Sequence, residues 1–332
     1  MTKQRIEYID AMRGFTMILV VYSHICHFCF GDSLLGFNAV FFLFRLPCFF
    51  FISGWLFETM ARKPFWEVAR RKMMVQLVPT FIFLFLLAPP PEFFHQLGAL
   101  KGGYWFTFVL FEFFILYMTA VRLCGKWDFG VALLIALGAF VYARYYHVIQ
   151  ISAVGWQVHL VSMLGFLSVV LWRYFLFFYI GAWVRRHFEA FIRWTDKPLA
   201  ILAITIVFAF VASTPHKNHL IYEILRFYIG GISGMWMVFC FFRLSASWLQ
   251  RIRLSKPLQY VGTRTLDIYL LHYFFLPRFL LPYAGLLQNY NNSAIEFVVI
   301  LSIALLVLSV TLLASYVIRL APFLRHYLFG VD

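Results

Sequence analysis

A hydrophobic stretch near the N-terminus of this chain reads Asp10-Ala11-Met12-Arg13-Gly14-Phe15-Thr16-Met17-Ile18-Leu19-Val20-Val21-Tyr22-Ser23-His24. Its long apolar run predicts a helix, and ten residues separate Arg13 from His24. Eleven steps of about 100° end roughly 20° past three full turns, so both side chains share one face, about 16 Å apart along the axis. Two such residues on one apolar helix are costly inside a membrane and therefore indicate a functional site.

The composition predicts an integral membrane protein. Of the 332 residues, 63% are hydrophobic and 13% are charged, whereas soluble domains usually carry about 25% charged residues. The aromatic content of 21% is typical of lipid-facing surfaces and interfacial belts. We therefore predict an all-α, polytopic helix bundle, with residues 1–332 forming a single membrane domain and no appended soluble domain.

Apolar runs of spanning length predict about ten transmembrane helices. Their approximate ranges are 12–30, 37–60, 71–88, 104–123, 128–146, 170–186, 198–214, 221–243, 262–282 and 293–318.

The distribution of Lys and Arg predicts the orientation. If the N-terminus, with Lys3 and Arg5, is cytoplasmic, every second loop is basic, while the opposite loops carry only Lys101, Arg144 and Lys217. The basic residues on the predicted cytoplasmic side include Arg62, Lys63, Arg70, Arg71, Lys72, Arg122, Lys126, Arg185, Arg186, Arg193, Lys197, Arg243, Arg251, Arg253, Lys256, Arg319 and Arg325. Because the net charge of +14 is spread over short loops, it argues against a nucleic-acid partner.

Three stretches between the predicted spans have other patterns. Residues 89–103 begin with Pro89-Pro90-Pro91, which removes amide donors and prevents a continuous helix. Residues 147–169 are moderately apolar and form either a loop or a re-entrant segment that lines an outer cavity. Residues 248–254 predict a short amphipathic helix at the cytoplasmic interface.

Ionisable side chains at membrane depth cost roughly 2.5–3.5 kcal/mol each on insertion scales, so they usually face the bundle interior. The candidates are Arg13, His24, His27, Arg45, Glu112, Arg173, Glu223, Arg226, Asp267, His272 and Arg278. Their number predicts a polar cavity. Asp267 and His272 are five residues apart and are not expected to act as a dyad. No residue spacing indicates a metal site, and the five cysteines are interpreted as small buried hydrophobic residues.

His24 is expected near the middle of the membrane. An imidazole there can accept a proton from a hydroxyl near neutral pH as a general base. A histidine that hydrogen-bonds two helices together is the structural alternative. Glu112 is a candidate to orient His24 or to pair with Arg45, and Asp10 is the other carboxylate considered, although it lies far along the helix.

Arg13 is expected near the cytoplasmic end of its helix. It either extends to the lipid headgroups or joins Arg70-Arg71-Lys72 in a basic mouth that binds phosphates. The small residues Ser53 and Gly54 close the second helix and predict close helix contact. A role of Ser53 in holding a thioester or pantetheine arm is the alternative.

Six motifs in order along the chain resemble the membrane acyltransferase 3 superfamily, nearest in style to fucose 4-O-acetylase-like and other bacterial sugar O-acetyltransferases. The motifs are Ile9-Asp10-Ala11-Met12-Arg13-Gly14 with His24; Phe50-Phe51-Ile52-Ser53-Gly54-Trp55-Leu56; Arg70-Arg71 before Leu77-Val78-Pro79; Tyr104-Trp105-Phe106; Tyr174-Phe175 through Gly181; and Tyr260-Val261-Gly262 with Ile268-Tyr269-Leu270-Leu271-His272. Thr107 and Thr265 depart from the residues common in that family.

The resemblance implies transfer of an acyl group, usually acetyl, from cytoplasmic acetyl-CoA or another acyl-CoA to a hydroxyl of a cell-envelope glycan or glycolipid, in the bacterial inner membrane. It implies a catalytic role for His24, supported by Glu112, and donor binding by Arg13, Arg70, Arg71 and Lys72. We expect Arg45, Ser53, Trp105 and His272 to contact substrate. The expected partners are therefore acyl-CoA, the acceptor and membrane lipid.

Two other function classes are compatible with a polar cavity in a helix bundle. A transporter or flippase of a lipid-linked saccharide would use such a cavity, although the chain has no internal repeat of the kind that inverted-repeat transporters show. A scaffold subunit of an envelope assembly would retain the motifs for packing alone.

Overall fold

The computed structural model of the chain describes residues 6–32, 35–88, 100–289 and 292–329. These residues are 88% helical and contain no strand, which confirms the prediction of an all-α protein. Most of the proline-rich stretch, residues 89–99, lies outside the described residues.

The α-helices in chain order are α1 (Glu7–Phe30), α2 (Asn38–Ala61), α3 (Phe65–Lys72), α4 (Val78–Leu87), α5 (Trp105–Cys124), α6 (Asp128–Ser152), α7 (Trp156–Phe166), α8 (Phe175–Arg186), α9 (Phe188–Thr195), α10 (Pro198–Ser213), α11 (Leu220–Leu244), α12 (Ala246–Arg251), α13 (Ser255–Thr263), α14 (Thr265–Leu271), α15 (Ala284–Gln288), α16 (Ser293–Arg319) and α17 (Pro322–Phe329). Short 3₁₀ turns occupy Lys101–Gly103, Gly125–Trp127, Val169–Tyr174, His272–Phe274 and Arg278–Tyr283, and a π turn occupies Met73–Leu77.

Several helices have the length and apolarity of membrane spans. Within the described ranges, 5 stretches qualify, and up to 8 do so if each of three bent helix pairs counts as one span. The five are Glu7–Phe30, Asn38–Ala61, Trp105–Ser152, Leu220–Leu244 and Ser293–Arg319. The chain is thus a multi-pass membrane protein, and the count of ten crossings with a cytoplasmic N-terminus stays a prediction.

Each of the three bent pairs overlaps one of the predicted spans, 170–186, 198–214 or 262–282. Trp156–Phe166 and Val169–Arg186 meet at 47°, so the stretch 147–169 is largely helical in its described structure. Thr265–Phe274 and Arg278–Gln288 meet at 65°. Pro277 lies at this second break, and its ring nitrogen has no hydrogen to donate to a helix. The break leaves His272 just beyond the end of α14.

The chain forms two compact units, and the first comprises residues 1–49, 192–215 and 226–321. Within it, α1 and α13 meet backbone to backbone at two glycines. A β-carbon on Gly14 would lie 1.9 Å from the carbonyl oxygen of Leu258, and one on Gly262 would lie 1.9 Å from that of Asp10. Small residues allow this close approach of membrane helices, which places α14 beside α1.

The second unit comprises residues 50–191, 216–225 and 322–332. The C-terminal half of α2 packs directly on α8, since a β-carbon on Gly54 would lie 1.9 Å from the Phe178 carbonyl oxygen. On the other helix, a β-carbon on Gly181 would lie 2.0 Å from the Phe51 carbonyl oxygen. The predicted close helix contact at Gly54 is therefore confirmed.

A buried polar network also joins helices of the second unit. Arg186 Nε lies 3.2 Å from Glu58 Oε1, and Arg186 Nη1 lies 3.6 Å from Asp128 Oδ2. Tyr117 donates its hydroxyl hydrogen to Glu58 and accepts a hydrogen bond from Arg186 Nη2 at 2.5 Å. The Glu58 carboxylate, which is 7% exposed, is thus paired and hydrogen-bonded, as a buried charge requires.

Replacing Gly54 by alanine tests the close contact of α2 with α8. We expect Gly54→Ala to lower the free energy of unfolding by about 1–3 kcal/mol, because the methyl group must push the Phe178 backbone away. Gly138→Ala on α6 is the matched control, since a β-carbon there meets nothing within 4 Å. Thermal unfolding in detergent measures both, and an equal effect of the two variants would contradict the packing described.

Candidate functional site

His24 forms a close pair with His272 in the first unit. His24 Nδ1 lies 2.7 Å from His272 Nε2, which is a hydrogen bond between α1 and the turn after α14. The ring centroids are 4.9 Å apart and the ring planes are inclined by 10°. His24 is half-buried, so its ring keeps some accessible surface. This hydrogen bond uses one of the two ring nitrogens of His24 and links α1 to the segment after α14.

The other ring nitrogen of His272 is also hydrogen-bonded. His272 Nδ1 lies 2.8 Å from the carbonyl oxygen of Ile268, one turn earlier. His272 itself is 0% exposed. Both of its nitrogens therefore have partners, as a buried polar side chain requires.

Aromatic rings surround the imidazole pair. The Tyr273 ring lies 5.1 Å from His24 and 4.2 Å from His272, measured between ring centroids. Phe28, one turn after His24, packs its edge against both His24 and Tyr273 at 5.9 Å. These aromatic rings pack against the imidazole pair and restrict rotation of both imidazoles.

A series of hydrogen-bonded polar side chains ends at Ser23 of α1, the residue before His24. Arg45 Nη1 donates to Asn38 Oδ1 at 2.8 Å, and Asn38 Nδ2 donates to Ser23 Oγ at 3.3 Å. All three side chains are buried, and the positive charge of Arg45 also acts on His24 electrostatically. The structure thus places Arg45 near enough to His24 for an electrostatic interaction, and the polar cavity stays a prediction. The sequence reasoning overlooked Asn38, although an amide at the start of an apolar helix was a visible signal.

Arg13 and His24 lie on one uninterrupted helix. α1 runs from Glu7 to Phe30, so the shared face and the axial separation of about 16 Å follow from helix geometry. Arg13 is half-buried and interacts electrostatically with Asp10. Asp10 therefore acts on Arg13, three residues away.

Asp267 holds the segment that carries His272. Its carboxylate accepts hydrogen bonds from Arg319 Nε at 2.7 Å, Arg319 Nη2 at 2.8 Å and Ser315 Oγ at 2.5 Å. Arg264 Nη1 lies 3.8 Å away. Because Asp267 is 2% exposed, this bidentate pair fixes α14 against α16 in a medium of low dielectric constant. Asp267 has a structural partner of its own and does not form a dyad with His272.

Glu112 belongs to the second unit and has a different set of neighbours. Its Oε2 accepts a hydrogen bond from Trp172 Nε1 at 2.8 Å, and it interacts electrostatically with Lys101. Lys101 precedes α5, outside the spanning helices, and its Nζ donates to the Phe166 carbonyl at 2.6 Å and to Ser168 Oγ at 2.7 Å. Burial lowers the pKa of Lys101 to about 8, against an opposing influence of Glu112.

The predicted donor-binding cations differ in exposure. Arg70 and Arg71 at the end of α3 are exposed, which suits side chains that bind a soluble anion. Lys72 is half-buried, and its Nζ lies 4.4 Å from the centre of the Phe114 ring. The three residues directly precede the π turn Met73–Leu77, and turns of this kind occur often at functional sites.

The remaining predicted residues, Ser53 and Trp105, are both half-buried and lie in the second unit. Trp105 begins α5 and packs on Phe106 at 5.9 Å between ring centroids. In the parts of the chain that the structure describes, no group of three or more His, Cys, Asp or Glu side chains could hold a metal ion.

A model of the family described as "Acyltransferase domain", within acyltransferase 3, matches residues 6–318. No curated protein and no solved structure matches the chain. The family match covers α1 through α16 almost completely, including His24, His272 and all other predicted site residues.

Removing the Asp267 carboxylate tests whether it anchors α14. We expect Asp267→Ala to lower the free energy of unfolding by roughly 1.5–3 kcal/mol, because the half-buried Arg319 loses its counter-ion and its hydrogen-bond acceptor. Combining it with Arg319→Leu should restore part of the stability, since no charge is then stranded. Thermal unfolding in detergent measures both, and an unchanged midpoint in the single variant would contradict the anchoring role.

Proposed function

Because the chain belongs to the acyltransferase 3 family and is a membrane acyltransferase, we propose that it transfers an acetyl group from cytoplasmic acetyl-CoA to a hydroxyl of a cell-envelope glycan or glycolipid. We place it among the bacterial sugar O-acetyltransferases of the cytoplasmic membrane. The observation that carries the proposal is the half-buried His24, whose Nδ1 is engaged by His272 while its Nε2 is left for the reaction.

The proposed reaction is one of general-base catalysis. His24 accepts the proton of the acceptor hydroxyl while that oxygen attacks the carbonyl carbon of the thioester. The new C–O bond forms, the C–S bond breaks, and the proton then passes from His24 to the departing thiolate. General bases of this type typically contribute about 10²–10⁴-fold to the rate. A transient acetyl group on His24 would use the same nitrogen as a nucleophile.

The donor would bind through its phosphates. We propose that Arg70, Arg71 and Lys72 contact the phosphates of CoA and that Arg13 also takes part in donor binding. Exposed guanidinium groups suit this task because they bind phosphate oxygens in a bidentate manner. The axial rise of about 16 Å from Arg13 to His24 is comparable with the reach of an extended pantetheine arm.

The acceptor would be bound by polar and aromatic groups. Arg45 is proposed as an acceptor contact because its charge acts on His24 electrostatically within the first unit. Ser53 and Trp105 are proposed as further contacts, since both keep accessible surface. Glu112 is also proposed to take part in catalysis. Its neighbours are Trp172, which donates a hydrogen bond to it, and Lys101, with which it interacts electrostatically.

A transfer assay with purified protein tests the proposal. Protein in detergent or nanodiscs is given radiolabelled acetyl-CoA and a panel of glycans and glycolipids, and labelled product is counted. We expect wild type to label an acceptor and His24→Ala to lose about 10²–10⁴-fold in kcat, because the base is removed. His27→Ala, an exposed histidine one turn further on α1, should transfer at the wild-type rate.

Two results would contradict the proposal. Absence of transfer by wild type to the whole panel would contradict the proposed donor and acceptor class, and equal transfer by His24→Ala would remove His24 from the chemistry.

Comparing acetyl-CoA with the shorter donor acetyl-pantetheine tests whether Arg70 and Arg71 bind the donor's phosphates. We expect Arg70→Ala with Arg71→Ala to raise the KM for acetyl-CoA at least tenfold, about 1.4 kcal/mol, because charge-assisted hydrogen bonds to phosphate are lost. The KM for acetyl-pantetheine, which lacks those phosphates, should not change. Arg251→Ala, an exposed arginine of α12, is the matched control. Equal effects on both donors would contradict phosphate binding by Arg70 and Arg71.

A further inference from the structure

The hydrogen bonds of His272 determine which of its nitrogens carries a hydrogen. Its Nδ1 lies 2.8 Å from the Ile268 carbonyl oxygen, and a carbonyl oxygen can only accept. Nδ1 must therefore be the protonated nitrogen of His272. In the neutral ring, the other nitrogen is then an acceptor with an unshared electron pair.

The tautomer of His272 in turn determines the tautomer of His24. His272 Nε2 accepts across 2.7 Å, so the donor on the other side is His24 Nδ1–H. A neutral His24 with its hydrogen on Nδ1 has an unprotonated Nε2. Among the residues that the structure describes, no hydrogen bond engages Nε2, and the His24 side chain is half-buried rather than fully enclosed.

We propose that His272 is the positioning residue of the transfer reaction: it selects the tautomer of His24 that has a basic Nε2 and holds that ring in place. The inference rests on the proposed function of His24 as the base. When Nε2 takes the hydroxyl proton, His24 becomes an imidazolium whose Nδ1–H still donates to His272, so the charged intermediate keeps its hydrogen bond. Proton release to the departing thiolate returns the pair to its starting state.

The burial of His272 indicates that it positions His24 and does not itself contact a substrate. His272 is 0% exposed, so it has no surface with which to touch an acceptor or a donor, and it acts through His24. A neutral imidazole here performs the orienting task that a carboxylate performs in serine-protease triads, where the wrong tautomer of the base is highly damaging. The structure thus supplies an orienting partner for His24 that lies in the same unit and is hydrogen-bonded to it.

The surroundings of His272 keep its acceptor aimed at His24. Tyr273 stacks against both rings, and the Asp267–Arg319 pair fixes the preceding helix. The α-helix ends at Leu271, directly before the histidine, and the 3₁₀ turn His272–Phe274 and the break at Pro277 follow it. Rigid support of this kind keeps the ring in position. A misplacement of about 1 Å can by itself cost an enzyme much of its activity.

Two substitutions of nearly equal size test the proposal. The side-chain amide of His272→Asn reaches the position of Nδ1, so it can keep the bond to Ile268 but offers no acceptor to His24. The longer amide of His272→Gln reaches the position of Nε2, where its oxygen can accept from His24 Nδ1–H. We expect His272→Asn to lower kcat by about 10²–10⁴-fold with an unchanged KM for acetyl-CoA. We expect His272→Gln to stay within about tenfold of wild type.

The outcomes distinguish this inference from the proposed function. If wild type transfers acetyl and His272→Asn matches it, the positioning role is wrong while the acyltransferase stands. If His272→Asn and His272→Gln lose kcat equally although both unfold at the wild-type temperature, the acceptor function of Nε2 is likewise refuted. If either variant fails to fold, transfer by the other still decides the point, because the proposal requires low kcat for Asn and near-normal kcat for Gln. Absence of transfer by wild type would instead refute the proposed function.

Discussion

The hydrogen bond between His24 Nδ1 and His272 Nε2 constrains the rest of the first unit. It spans 2.7 Å between residues that are 248 positions apart in the sequence. A shift of α1 by one residue would move His24 about 1.5 Å along the axis and turn it by about 100°, which would break the bond. The helices that carry the two rings must therefore be held in a fixed register, and much of the close packing in this unit serves that requirement.

The register of these helices depends on two structural features whose residues take no part in the proposed reaction. Gly14 and Gly262 bring α1 and α13 into backbone contact, and His24 and His272 each lie ten residues after one of these glycines. The two segments therefore run parallel, and the glycine contact sets the level at which the imidazoles meet. Asp267 and Arg319 then hold α14 from its other side. In a membrane, where apolar surface drives helices together only weakly, small residues and polar contacts do this work.

Much of the fold could be predicted from the sequence, because apolar runs of spanning length and polar interruptions are local signals. The helices that contain His24, Arg45 and Glu112 were expected close to their observed bounds. The bends near residues 167–168 and 275–277 were harder to predict, since a break inside an apolar run changes direction without changing hydropathy. His24 stood out because a histidine at membrane depth is costly, but its partner His272 lies at the far end of the chain. The one sequence feature that relates the two histidines is their equal distance, ten residues, from Gly14 and Gly262. That feature predicts a pair only if the two glycines are already known to be in contact.

The tautomer of His24 is the most direct test of the account. Protein labelled with ¹⁵N in its histidine rings can be studied by NMR in nanodiscs, with His24→Ala used to identify the His24 signals. The account predicts that His24 carries its hydrogen on Nδ1 and has an unprotonated Nε2, and that His272 likewise carries its hydrogen on Nδ1. A His24 ring protonated on Nε2 and unprotonated on Nδ1 would contradict it, because the nitrogen assigned to the reaction would then be unable to accept a proton.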